Sequence, residues 1–206
     1  MNINYESSLV INSNPIVSRG SNSLDTLFAG SPFVIESLYW HNAFRKIHNS
    51  PALALSSELC EKAQEWANSL THKDVFYHKN DEEIGENLLL KCSNFTNLDI
   101  NGEEVTKLWY SEIDKYAFHL SPCLLHTQAN RFTQLVWKDT REFGIGKAKT
   151  REGKLIVVAN YRPAGNVVGE YHLNVLPITE NEEEDDGDDD SDSNCSDRPI
   201  HFECRK

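Results

Sequence analysis

NRFTQLVWKDTREFGIGKAKTREGKLIVVANYRPAGN, residues 130–166, is the stretch whose reading decides the fold. Its spacing predicts three successive strands. Residues 132–138 are apolar and aromatic, and Asp139, Arg141 and Glu142 break the run. Residues 143–149 carry Gly144 and Gly146, where another backbone or a side chain can approach closely. Thr150, Arg151, Glu152 and Gly153 read as a hairpin connection. Residues 155–159 are apolar without alternation, so both faces of that strand should be covered. A sheet covered twice needs helices on both sides, which the rest of the chain must supply.

Upstream of this stretch the periodicity turns helical. A first helix is expected over residues 37–48, with Leu38, Phe44 and Ile47 apolar and Asn49, Ser50 and Pro51 as its stop. It contains His41, Asn42 and Arg45. His41 and Asn42 have a cavity-lining reading and a plainer one, in which both bond backbone and fix the helix. Ser57 is the expected cap of a second helix, whose stripe runs through Leu59, Ala63, Trp66, Ala67 and Leu70. Gly85, Glu86 and Asn87 lead into a leucine run. Asn101, with Glu104 three residues on, opens a third helix. Its apolar face is Val105, Leu108, Trp109 and Tyr116, and Glu112 falls on that same face. A carboxylate in an apolar stripe is costly unless it is partnered or opens to a cavity.

Composition bounds the rest. The net charge of −12 is concentrated in residues 180–192, which hold ten acidic residues and no basic one. The remainder is close to neutral, which argues against nucleic acid as a partner. Residues 1–33 are rich in Ser and Asn and read as a disordered segment. Residues 34–179 form the expected domain, and 180–206 a solvated acidic tail. Five cysteines do not make a disulfide framework. No apolar run reaches the length of a membrane helix, and the first thirty residues do not read as a signal peptide. An intracellular location, in the cytosol or at the Golgi surface, is expected, with an extracellular one as the alternative.

Four motifs in order carry a family resemblance: HNAFRKIH, GENLL, LWYSEIDKY, and FTQLVWK with VVANYRPAGNVVGEY. Together they resemble the CAP superfamily of cysteine-rich secretory, antigen 5 and plant pathogenesis-related proteins, most closely its Golgi-associated pathogenesis-related branch. The resemblance implies a three-layer α-β-α sandwich of α+β class with a central, mainly antiparallel sheet. It also implies a central cavity of two histidines and two glutamates, where several members bind zinc. Carried over residue by residue, the set is His78, Glu86 and Glu112, with His41, Asn42 and Asn87 in support. The fourth position holds Arg131 where the pattern has histidine. Arginine keeps its proton and offers only donors. It is therefore expected to act as the cavity's own cation, with no cofactor required and zinc as the disfavoured alternative; His126 is a further ligand candidate.

The implied function is a non-enzymatic binding protein for lipid, a membrane surface or a protein partner, compatible with a homodimer. The alternatives are a metal-assisted hydrolase built on His78, Glu86 and Glu112, or a secreted effector or venom-type protein. No nucleophile stands in a recognisable catalytic setting.

Overall fold

The computed structural model describes residues 30–92, 98–118, 128–150 and 152–179. Nearly all of the segments expected to be disordered, 1–33 and 180–206, lies outside these residues, as does His126. The first helix, α1, spans Pro32–Ile47 and starts earlier than the apolar spacing indicated. The Ser31 hydroxyl accepts from Val34 N at 3.3 Å, and Pro32 sits where its missing N–H costs nothing. Helix α2 spans Ser57–Lys73, and Ser56, not Ser57, is its cap. Leu59, Ala63, Ala67 and Leu70 are buried along it, with Trp66 half-buried at the margin.

Helix α3 spans Gly102–Tyr110, with Asn101 Oδ1 accepting from Glu104 N at 2.7 Å. A 3-10 turn, Ser111–Lys115, follows it. The face that meets α1 runs through Gly102, Val105, Thr106 and Trp109, so Leu108 turns outward at 45% exposure, contrary to the expected stripe. The largest correction concerns residues 132–138. They are no strand: Asn130–Val136 is a seven-residue helix, α4. Its residues from Phe132 to Val136 are all buried, polar Thr133 and Gln134 included, so burial has no period here to separate strand from helix.

Four strands remain among the described residues. β1 is Ala54–Leu55, β2 Gly85–Cys92, β3 Glu142–Lys149 and β4 Lys154–Arg162, in spatial order β1-β3-β4-β2. β1 runs parallel to β3, and the other two pairings are antiparallel. Strand β4 shows why its sequence does not alternate. Leu155, Val157, Ala159 and Tyr161 join the core under α1, α3 and α4, while Ile156 and Val158 join Ala63, Ala67, Leu70 and Leu88 under α2. The glycines of β3 admit α2. A Cβ on Gly144 would overlap the backbone of Leu59 and Cys60, and one on Gly146 would lie 2.5 Å from Gln64 N. The result is the expected three-layer α-β-α sandwich around a mainly antiparallel sheet. A short helix, α5 (Tyr171–Asn174), interrupts the arm that returns to α1, where Thr179 N donates to Ile47 O at 3.0 Å.

Candidate functional site

The polar residues of α1 are structural. Its buried line is Val34, Ser37, His41 and Arg45, at helical spacing and mostly polar. His41 Nδ1 donates to Ser37 O at 2.6 Å, which leaves Nε2 to accept from Tyr161 Oη at 2.9 Å. Asn87 Nδ2 donates in turn to Tyr161 Oη at 3.1 Å and to Arg131 O at 3.0 Å. Burial lowers the His41 pKa to about 3, so the ring is neutral. Asn42 pairs with the backbone of Leu53 in both directions, at 2.7 and 3.1 Å. Both residues thus follow the plainer reading and hold the helix in place.

Sequence reasoning missed Arg45 as a core residue. Its guanidinium is fully buried and donates to the carbonyls of Pro51, Leu135, Trp137 and Thr140 at 2.8–3.0 Å. The available signal was its place four residues after His41 on one face.

The four residues expected around one cavity form two pairs. Glu112, only 5% exposed, receives Arg131 Nε on Oε1 at 2.8 Å, Arg131 Nη2 on the same oxygen, and Arg131 N on Oε2 at 3.1 Å. Glu86 Oε1 receives His78 Nδ1 at 2.7 Å and Lys79 N at 3.3 Å. Burial raises the Glu86 carboxyl above its usual range, against the opposing pull of His78. No bond joins the two pairs among the described residues.

Strand geometry explains the separation. Successive side chains on a strand point to opposite faces. Glu86 stands in register with Asn160, whose amide reaches Leu59 O of α2 at 3.4 Å. Asn87 therefore faces the other layer, where Arg131 and Glu112 lie. His78 and Glu86 line a cleft of about 210 Å³ with Lys62, Trp66, Lys79 and Asn160, and neither Glu112 nor Arg131 contributes to it. Among the described residues no three His, Cys, Asp or Glu side chains converge as metal ligands.

Comparison with known proteins agrees with this architecture. The profile of the cysteine-rich secretory protein family, CAP, matches residues 38–161. The human Golgi-associated plant pathogenesis-related protein 1 (Homo sapiens) is 38% identical over 154 residues, 72% of this chain and 96% of that protein. The solved structure of BmVAL-1 is 26% identical with a TM-score of 0.52, over 69% of this chain and 79% of that one. The crystal structure of NaASP2 with Zn2+ has a TM-score of 0.59 at 21% identity, over 73% of this chain and 88% of that one, and bears on the fold alone. The profile spans more than half of the chain and the human relative is matched along almost its full length; the chain belongs to the cysteine-rich secretory protein (CAP) family.

Proposed function

We propose that this protein is a non-enzymatic binding module that works at a lipid or membrane surface, on the cytosolic or Golgi side. One observation carries the reading: the groups that acid–base chemistry would need are already committed to one another. Glu112 is held by Arg131, Glu86 by His78, and His41 by Ser37 and Tyr161. What stays available suits binding. On the segment leading to His78, Val75, Phe76 and Tyr77 are 36%, 45% and 50% exposed, an apolar run fit for acyl chains. The similarity to a Golgi-associated relative supports the location.

Vesicle flotation with mixed phospholipids, followed by native mass spectrometry, tests this. The protein should float with the vesicles and carry lipid, and Phe76→Ser with Tyr77→Ser should weaken flotation several-fold. Absence of lipid binding, together with ester or peptide hydrolysis that Glu86→Gln abolishes, would replace this reading with the hydrolase.

A further inference from the structure

The family resemblance implies zinc between two histidines, and the residues of this chain do not fit it. Position 131 supplies a guanidinium, which has no lone pair to give and does not shed its proton. Zinc sites want three or four imidazole, thiolate or carboxylate ligands. Here His78 Nδ1 is engaged by Glu86 at 2.7 Å, and Glu86 and Asn87 point to opposite sides of β2. Glu112 thus stands apart from the other two acid–base groups, with Arg131 as its partner.

We propose that Arg131 is a resident cation in the place of a bound one, which makes the fold of this protein independent of metal. Three contacts from a single residue satisfy the Glu112 carboxylate, two from the guanidinium and one from the backbone N–H. The arrangement suits the desolvation balance. The carboxylate side chain is 6% exposed and must have a counter-charge, whereas the Arg131 side chain is 45% exposed and keeps its outer side hydrated. A divalent ion brought to Glu112 would meet a fixed positive charge and would have to displace it.

The pair also has a mechanical role. Helix α4 begins after Ala129, which has no side-chain oxygen to cap it. Glu112 supplies that acceptor from the 3-10 turn, nineteen residues upstream of Arg131. The turn and the start of α4 are thereby tied together.

The test uses the full chain dialysed against a chelator. Isothermal titration with zinc chloride and thermal melts with zinc or EDTA should show no stoichiometric binding and an unchanged Tm. Melts of Glu112→Gln, Arg131→Gln and the double variant should show coupling: each single change lowers Tm, and the double lowers it by clearly less than the sum. Tight zinc binding by the wild type that Glu112→Gln abolishes would overturn the proposal. So would strictly additive Tm losses in the cycle, because the guanidinium would then not be the counter-charge of Glu112.

Discussion

Arg45 and His41 show how much of this core depends on polar side chains. Arg45 gathers four carbonyls, two at the C-terminal end of α4 and one each from the segments leading into β1 and β3, and burial lowers its pKa only to about 10, so it remains charged at neutral pH. His41 has the opposite outcome, because burial holds it neutral. Its pKa falls from 6.5 to about 3 on folding, so below pH 6.5 the unfolded chain binds a proton that the folded chain refuses. Stability from this group is complete above pH 6.5 and is lost as pH drops toward 3, by roughly 1.4 kcal/mol per pH unit. His48, also lowered by burial, acts in the same direction, while the raised Glu86 carboxyl favours the folded state as pH falls. Urea melts at pH 6, 5 and 4, which lie between the unfolded and folded pKa values, should show a slope shallower by up to about 1.4 kcal/mol per unit in His41→Gln than in the wild type. Equal slopes would show that the ring titrates normally. The anomaly at Glu112 was legible from sequence, because a charge in an apolar stripe stands out against its neighbours. The exclusive pairing with Arg131 was not, since it depends on which face of β2 receives Glu86.

Among the elements, β3 and β4 were readable and α4 was not. Gly144 and Gly146 announced close approach by their spacing, and the non-alternating run in β4 announced two covered faces; both follow from the two-residue period of a strand. Residues 132–136 gave no such cue, because every position is buried in either conformation. What selects the helix is distant: Glu112 capping Arg131 N, and Arg45 collecting the Leu135 and Trp137 carbonyls. Helix α1 misled in a different way, because its most buried face is polar. The fit of α2 against β3 gives a clear expectation. Gly144→Ala forces a methyl against the Leu59 and Cys60 backbone, which neither side can move aside as a flexible side chain would. The expected cost is about 1–3 kcal/mol in chemical denaturation. A loss below about 0.5 kcal/mol would mean α2 rides higher on the sheet than the contacts require.

At the scale of the whole molecule, charge and fold are separate. The chain carries −12, yet residues 180–192 alone hold ten acidic groups, and the last described backbone contact is Thr179 N on Ile47 O. A chain ending at Thr179 should melt at nearly the same temperature as the full chain, and a drop of several degrees would place the tail on the domain. Within the domain, the two glycine slots index α2 to the sheet. The positions of β3 on that face are Glu142, Gly144, Gly146 and Ala148, so a slide of one repeat, about 7 Å, would drive Glu142 or Ala148 under the helix backbone. The helix has a single parking position. An insertion or deletion inside α2 or between the two slots has no neighbouring register to fall into, so a lineage carrying this domain can change length in its connecting loops but not across this joint.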